Sequence, residues 1–406
     1  MSTIKNAIFI VYNWVILNFR RWIALLQENL LYCLPVKKNR VIFSSFCGNN
    51  YSCNPRAVFE CLYDKCGGTL DYIWMFDYKN NPEIPDELAK KVKCVQFNSF
   101  RSSYYKATSK VWCFNHRNTK YFKKKSNQFY IQTWHGDIGF KAIDKLLYEA
   151  NMLSEPYAKK CIIDSKMTDL IVAGSEWGLN NYRRAFFYEF GEIGEFGCPR
   201  NDVLFNSYKQ KEIRGRVLEK INICENVKLC LFAPTFRKSF SIAESFVTNE
   251  KQVEQLKKAL IQRFGGDWVI LLKYHPASIY EYDRKSIATG VIDVSDYGDV
   301  ADLLAVSDAL ISDYSSISFD YALTNRPSWL YFVDHEEYLE DRLTVLTEDE
   351  VAFEIAKSFQ DLIFKIHEFD EEANTQKMKE MLLNFGSFEK GNASEQVVSK
   401  IISFLN

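Results

Sequence analysis

Residues 308–323 read DALISDYSSISFDYAL and hold two elements of an α/β fold in immediate succession. The apolar run 309–312 predicts a buried strand that ends at Asp313. Ser315 and Ser316 then precede a second apolar run, and a serine at the start of a helix can cap it. Open α/β sheets bind ligands beyond the carboxyl ends of their strands. This stretch therefore predicts a strand–loop–helix unit whose serines face a ligand; a purely structural serine cap is the alternative.

Short apolar segments of the same kind recur along the whole chain and predict further strands. They read RVIFSSF (40–46), DYIWMF (71–76), KVWCF (110–114), FYIQTW (129–134), DLIVAGS (169–175), IGEFGCP (193–199), KLCLFAPT (228–235), WVILLKYHP (268–276), VIDVS (291–295) and RPSWLYF (326–332), which ends the series. Strands that alternate with helical segments predict a parallel sheet in each half of the chain.

The pattern of apolar strand-like segments is interrupted over residues 200–210, and a polar helix is predicted over 211–225. We therefore predict an N-terminal domain over 35–205 and a C-terminal domain over 206–406. The tail from Phe385 predicts a loop and a last amphipathic helix, which can pack back on the N-terminal domain. A length of 406 residues agrees with two domains of similar size.

Composition excludes several classes of protein. The 51 basic and 52 acidic residues nearly balance, so there is no global electrostatic case for binding nucleic acid. Eleven cysteines form no Cys-x-x-Cys pair, which is typical of reduced thiols in a cytoplasm and not of a zinc site. The glycine-rich motifs of NAD enzymes and of P-loop NTPases do not occur in the sequence.

The first 34 residues are rich in Ile, Leu, Phe and Trp. Their longest stretch without a charge, residues 6–19, contains three Asn and is shorter than the roughly 20 residues of a spanning helix. Trp14, Trp22, Arg20 and Arg21 suit the headgroup region of a bilayer. We expect residues 1–34 to form an interfacial helix that holds the protein peripherally at the cytoplasmic face of the cell membrane. The alternative is a helix packed on the protein's own core.

Polar residues follow several of the predicted strands directly. Four groups stand at such strand ends: Trp134-His135-Gly136; Pro234, Thr235 and Arg237; His275-Pro276; and Asp313 with Ser315 and Ser316. Histidine suits a general base near neutral pH, and a planar guanidinium suits a pair of phosphate oxygens. Each group taken alone also fits an inert turn or a surface loop. Four groups at equivalent strand ends predict one shared cleft between the two domains.

The motifs in their order resemble one family, the CDP-glycerol glycerophosphotransferases of teichoic acid and capsule synthesis. The resemblance rests on SSFCGNNYSCNPRAVFE (44–60), YIQTWHG (130–136), FGCPRNDVLF (196–205), LFAPTFR (231–237), KYHP (273–276), DVSDYGDVADLLAVSDALISDYSSISFDYALTNRP (293–327) and GSFEKGNAS (386–394). It covers nearly the whole chain beyond the first helix. It implies a GT-B architecture, in which two Rossmann-like domains enclose the active site between them.

The resemblance also implies a reaction and its residues. A hydroxyl group of the acceptor attacks the β-phosphorus of a CDP-activated polyol phosphate, and CMP leaves. The essential histidines of the family fall on His135, which we predict to be the base, and on His275. The substrate-binding residues implied are Gly136, Arg200, Asn201, Asp202, Thr235, Arg237, Pro276, Asp313, Ser315, Ser316 and Asp320. Asp320 would repel a phosphate, so we expect it to bind a hydroxyl group or a cation such as Arg237.

The implied partners are a donor, an acceptor and a membrane surface. The donor is CDP-glycerol or a similar CDP-polyol, CDP-ribitol among them, and the acceptor is a polyprenyl-diphosphate-linked saccharide or a polymer. Asn49 and Cys53 stand where one common form of the family has Lys and Asp, so the acceptor and the choice between primase and polymerase stay open. No tightly bound cofactor is expected, and Mg²⁺ is compatible with the reaction. The alternatives are a GT-B sugar transferase that uses a nucleotide-sugar and a non-catalytic scaffold.

Overall fold

The protein contains two β-sheets, each built of parallel strands. The computed structural model describes residues 26, 28–80, 82–118, 122–189, 191–223, 226–235, 245–274 and 287–406. The first sheet contains β1 Lys37–Ser44, β2 Asp71–Phe76, β3 Lys93–Gln96, β4 Ser109–Phe114, β5 Phe129–Gln132, β6 Leu170–Ala173 and β7 Glu192–Glu195. The second contains β8 Val227–Ala233, β9 Asp267–Leu272, β10 Val291–Asp293, β11 Ala309–Ser312, β12 Ser328–Tyr331 and β13 Glu354–Ala356.

The strand order predicts a crevice at the carboxyl ends of the central strands in each sheet. The order is β3-β2-β1-β4-β5-β6-β7 in the first sheet and β10-β9-β8-β11-β12-β13 in the second, with all neighbours parallel. The direction of winding reverses beside β1 in one sheet and beside β8 in the other. In doubly wound sheets such a reversal opens a crevice beyond the carboxyl ends of the central strands.

Helices cover both faces of the sheets. They are α1 Cys53–Cys66, α2 Asp86–Lys91, α3 Phe100–Thr108, α4 Lys145–Glu149, α5 Glu155–Met167, α6 Glu176–Ala185, α7 Ser207–Lys220, α8 Glu250–Phe264, α9 Val300–Val306, α10 Ile317–Ala322, α11 His335–Asp341, α12 Phe359–His367, α13 Glu371–Asn384 and α14 Ala393–Leu405. Because helices bury the sheets on both sides, the central strands are continuous apolar runs and do not alternate.

The last helix returns to the first sheet. Val397, Val398 and Ile401 of α14 pack in one buried cluster with side chains of β1 and β2. The carboxylate of Asp202 accepts hydrogen bonds from the backbone N–H groups of Ala393 (2.9 Å) and of residue 394 (2.8 Å). A carboxylate in this position satisfies otherwise unpaired N–H groups and complements the helix dipole. The C-terminal segment therefore ties the two halves together.

The structure corrects the sequence reading at several places. It contains two strands that were not predicted, β3 and β13, and β13 shows that RPSWLYF does not end the series. The polar helix spans Ser207–Lys220 and not 211–225, because the Asn206 side chain accepts from the Lys209 N–H and starts it earlier. The first sheet precedes residue 206 and the second follows it, and we keep 205/206 as the proposed domain boundary.

The predicted interfacial helix lies almost entirely outside the described residues. Of residues 1–34, the structure describes residue 26 and residues 28–34, and residues 28–32 are helical. No helix in the described part of the chain is both long enough and apolar enough to cross a membrane.

Candidate functional site

His135 lies just beyond the carboxyl end of β5, with an exposed side chain. Its Nδ1 donates a hydrogen bond to the carbonyl oxygen of Asn115 at 2.8 Å. A carbonyl oxygen can only accept, so this contact assigns the proton to Nδ1 and leaves the basic lone pair on Nε2. Imidazole rings held in this way have a fixed tautomer and a fixed orientation, which a general base requires.

The backbone around His135 is held by side chains from several elements. Trp134 has φ of +48°, a conformation that costs a non-glycine residue free energy and persists only when its surroundings impose it. Asn54 Nδ2 donates to the carbonyl oxygens of residue 133 (2.9 Å) and of Trp134 (3.0 Å). The Tyr182 hydroxyl donates to the carbonyl oxygen of Gly136 at 2.8 Å. The left-handed turn that exposes His135 is thus fixed from both sides.

Asp137 anchors the other end of this turn, and the sequence reading did not select it. Its buried carboxylate accepts from the backbone N–H of Gly174 (2.7 Å) and from the hydroxyl group of Ser175 (2.5 Å). Burial raises the pKa of Asp137 to about 6, and these two hydrogen bonds oppose the rise. Asp137 therefore positions the His135 turn relative to the start of α6.

Gly136 brings the His135 turn against the serine pair of the other half. A Cβ atom at Gly136 would lie 2.9 Å from Oγ of Ser316, and one at Gly139 would lie 3.6 Å from Cβ of Ser316. Only a glycine at 136 lets the backbone approach the serine this closely. The structure therefore brings the backbone of the His135 turn against Ser316 of the other half.

The serine pair starts α10 differently from the sequence expectation. The Ser316 side chain makes no capping hydrogen bond, and Ser315 Oγ lies 3.5 Å from the N–H of Ile317. The N–H groups of residues 318, 319 and 320 bond to the carbonyl oxygens of Ser315 and Ser316. These three N–H groups are therefore not available to a ligand, because the helix begins with a tight turn that satisfies them. The two hydroxyl groups stay as the candidate phosphate donors.

Asp320 binds a cation, which was one of its two expected roles. Arg200 donates from Nε to Oδ2 (3.0 Å) and from Nη2 to Oδ1 (2.9 Å) of Asp320, and Asn201 Nδ2 donates to Oδ1 (3.0 Å). Both charged side chains are buried, at 4% and 7% exposure. Burial alone would lower the pKa of Arg200, but Asp320 raises it well above the usual value. This ion pair joins the two halves of the protein.

Of the remaining predicted site residues, some make hydrogen bonds within the protein and the others lie outside the described residues. Asp313 is buried at the end of β11, and both its carboxylate oxygens accept from the backbone N–H of Thr235, at 2.9 and 3.0 Å. Asp202 caps α14, as described above, and burial raises its pKa. Arg237, His275 and Pro276 lie outside the described residues, and their roles stay predictions.

Glu389 in the C-terminal segment is a further residue that the sequence reading missed. Its Oε1 accepts from the backbone N–H of Cys198 (3.0 Å) and from Asn201 Nδ2 (2.9 Å). Burial raises the pKa of Glu389 to about 8. Together with Asp137 and Asp320 it lines a cavity of about 20 Å³, which is room for one water-sized molecule. The signal in the sequence was the GSFEKGNAS segment, taken only as part of the resemblance.

A second ionic link between the halves lies at the start of α1. Arg56 Nη1 lies 3.2 Å from Asp299 and 3.0 Å from Asp302, both on the other half. Asp299 also accepts from the backbone N–H of Cys53 at 2.8 Å. The described residues contain no group of three or more His, Cys, Asp or Glu side chains arranged to hold a metal ion.

Comparison with known proteins identifies one matching family and a solved structure with a similar fold. The sequence model of CDP-Glycerol:Poly(glycerophosphate) glycerophosphotransferase matches residues 26–403. A teichoic acid poly(glycerol phosphate) polymerase of Staphylococcus epidermidis is 33% identical over 328 residues, which cover 77% of this chain but only 43% of that protein. A teichoic acid glycerol-phosphate transferase of Staphylococcus aureus is 30% identical over 390 residues, which cover 92% of this chain and 95% of that one. The solved wall teichoic acid polymerase TagF superposes with a TM-score of 0.81 at 25% identity, over 96% of each chain.

Proposed function

Because the chain belongs to the CDP-glycerol:poly(glycerophosphate) glycerophosphotransferase family, we propose that it transfers glycerol phosphate from CDP-glycerol to a hydroxyl group of a lipid-linked or polymeric acceptor. The product extends a teichoic acid or a capsular polymer, and CMP is released. The relatives named above are teichoic acid enzymes, and a variant of the TagF polymerase was crystallised with a CDPG soak. The proposed architecture is GT-B, with the donor held mainly by the C-terminal half.

The proposed reaction is a displacement at phosphorus. The acceptor oxygen forms a bond to the β-phosphorus of CDP-glycerol, the bond from that phosphorus to the bridging oxygen breaks, and CMP leaves with the electron pair. The proton of the acceptor hydroxyl goes to Nε2 of His135. CMP is a good leaving group and needs little protonation, so one positioned base is the main demand on the protein.

One observation carries the proposal: the Nδ1–H of His135 is bound to the Asn115 carbonyl oxygen beside a backbone turn that touches Ser316. This arrangement points the basic nitrogen of His135 away from its anchor, and the contact of the neighbouring Gly136 with Ser316 supports a phosphate site beside the proposed base. Fixed donors near the phosphoryl oxygens stabilise the charge of the transition state without reorganisation. On the resemblance, Arg237 and His275 complete this set of donors.

The test is a turnover assay with variants of the full-length protein. Wild type should release CMP from CDP-glycerol in the presence of an acceptor, and His135→Ala should lower kcat by roughly two to four orders of magnitude. Binding of CDP-glycerol to His135→Ala, measured by calorimetry, should change little. If the variant lost donor binding but kept its turnover at saturating donor, the role of base would pass to His275.

The donor and the product length need their own measurements. CDP-ribitol and nucleotide-sugars are offered in the same assay, because release of UDP from a sugar donor alone would show a glycosyltransferase. Faster turnover of CDP-ribitol than of CDP-glycerol would make the enzyme a ribitol-phosphate transferase. Mass spectrometry of the products formed on a defined lipid acceptor distinguishes addition of one unit from polymerisation.

A further inference from the structure

One half-buried lysine of the N-terminal half has no role in the reaction described above. Lys160 lies half-buried on α5, with its Nζ 5.5 Å from the ring centroid of Tyr157. Within the described ranges, no carboxylate lies within ion-pair distance of the Lys160 ammonium group. The preceding residue, Lys159, differs in both exposure and pairing, since it is 65% exposed and pairs with Glu155 at 2.6 Å. Lys160 is therefore a candidate anion-binding group.

Hydrogen bonds locate the face of α5 that carries Lys160. Asp164 accepts from Arg117 Nη1 (3.1 Å) and from the backbone N–H of Asn118 (2.9 Å), so this face of the helix contacts the segment that follows β4. Lys160 precedes Asp164 by four residues, which places the two side chains one turn apart on the same face. Lys160 therefore lies one helical turn from this contact.

The same segment after β4 holds the base. The Asn115 carbonyl oxygen accepts from His135 Nδ1, and Asn115 Oδ1 accepts from the backbone N–H of Phe46 at 2.7 Å. The Phe46 ring centroid lies 5.4 Å from that of the imidazole. Phe46, Cys47 and Gly48 have φ of +45°, +59° and +90°, a strained turn that only its surroundings can maintain.

The charge of Lys160 reaches this turn and the neighbouring histidine. Burial raises the pKa of the Cys47 thiol, and the positive charge of Lys160 opposes that rise. Burial lowers the pKa of His116 to about 3, and Lys160 adds to the lowering. Cys47 follows Phe46 in the strained turn, and His116 follows Asn115. By the helix-face argument above, Lys160 lies on the side of α5 that packs against the segment anchoring His135.

We propose that Lys160, with the ring of Tyr157 beside it, binds an anionic phosphate group of the acceptor while His135 deprotonates a hydroxyl group of the same molecule. The inference rests on the proposed function. The ligand class is a phosphate ester of a small polyol, in which a few carbon atoms separate the phosphate from the attacking hydroxyl. One cation beside the base then selects acceptors that already carry a phosphate at the reacting end.

The experiment compares variants of Lys160 with the adjacent lysine. Lys160→Ala, Lys160→Arg and the control Lys159→Ala are assayed with CDP-glycerol and a soluble glycerol-phosphate acceptor, without vesicles. Lys160→Ala should raise KM for the acceptor roughly tenfold, as expected for loss of a charge-assisted hydrogen bond, while kcat and the donor KM stay within twofold. Lys160→Arg should restore most of the affinity, and added salt should narrow the difference between wild type and Lys160→Ala.

Several outcomes would overturn the inference. The inference is excluded if Lys160→Ala leaves the KM for the acceptor unchanged or if Lys159→Ala has an equal effect. It is also excluded if Lys160→Ala causes an equal loss with a neutral acceptor that lacks phosphate. The assay is therefore repeated with the acceptor embedded in anionic vesicles, and a loss that appears only there would assign Lys160 to lipid headgroups instead. If His135→Ala is inactive and Lys160→Ala is normal, the proposed function stands and this inference fails. If wild type releases no CMP, the proposed function itself fails.

Discussion

Gly136→Ala is the substitution for which the structure gives the sharpest expectation. The added Cβ would lie 2.9 Å from Oγ and 3.2 Å from Cβ of Ser316, which belongs to the other half of the protein. Gly136 is not among the glycines with positive φ, so alanine adds a steric conflict and no backbone strain. Either the serine must rotate or the two halves must separate slightly, and both changes displace the Ser316 hydroxyl, the proposed phosphate donor, from the turn that carries His135, the proposed base.

The size of the effect follows from the cost of overpacking. Such a conflict costs about 1–3 kcal/mol in a well-packed site. Since about 1.4 kcal/mol corresponds to a tenfold change in rate, kcat/KM for CDP-glycerol should fall by roughly fivefold to a hundredfold. Steady-state CMP release measures this loss, and thermal unfolding should show that the variant is folded.

Two controls isolate the contact between Gly136 and Ser316. Gly139→Ala adds a Cβ at 3.6 Å from Cβ of Ser316, an ordinary van der Waals distance, and should stay within about twofold of wild type. In a Ser316→Gly background the conflict disappears, so Gly136→Ala should then cost little more. Full activity of the folded Gly136→Ala variant, or equal losses in the two alanine variants, would refute the reasoning.

Three further predictions concern charge, pH and membrane binding. Asp320→Asn leaves Arg200 buried without its charge partner and should lower the free energy of unfolding by about 3–5 kcal/mol, measured by denaturant titration; a loss under 1 kcal/mol would contradict it. Glu389 has its pKa raised to about 8 in the folded protein, so wild type should lose stability as pH rises from about 4.5 to 8. Glu389→Gln should flatten that dependence, and identical pH profiles would exclude Glu389 as its cause. The full-length protein should sediment with membranes and be partly released by alkaline carbonate, whereas a chain that starts at Lys37 should be soluble; full resistance to carbonate would instead indicate a spanning segment.

The sequence predicts the central strands well because burial on both faces makes them apolar runs. The two strands that it missed lie at sheet edges: β3 reads KCVQ and β13 reads EIA. Edge strands are short and partly polar, so their sequences do not differ from those of loops. The start of α7 was placed too late for a related reason, since Asn206 acts as its cap through a side-chain contact that the polar sequence around it does not reveal.

Prediction of the site was limited by contacts between distant segments. His135 and Ser316 could be selected because each follows an apolar strand, where a parallel sheet binds its ligand. The pairing of Asp320 with Arg200 could not be selected from the sequence, because only the packing of the two halves brings these residues together. Glu389 stands 188 residues from Asn201, to which it bonds, and nothing in its neighbourhood marks a buried carboxylate.

The Arg200–Asp320 pair explains how a phosphate can bind beside an acidic residue. Asp320 lies one turn after Ser316, and its unpaired charge would oppose a phosphate there. Arg200 bonds both carboxylate oxygens in the bidentate geometry that fixes orientation as well as charge, so the pair is neutral overall. Arg200 belongs to the segment after β7, and it reaches Asp320 only while the two halves are in contact. The arrangement that sets Ser316 against Gly136 is therefore the one that neutralises Asp320, and the proposed phosphate site and the proposed base depend on the same set of contacts.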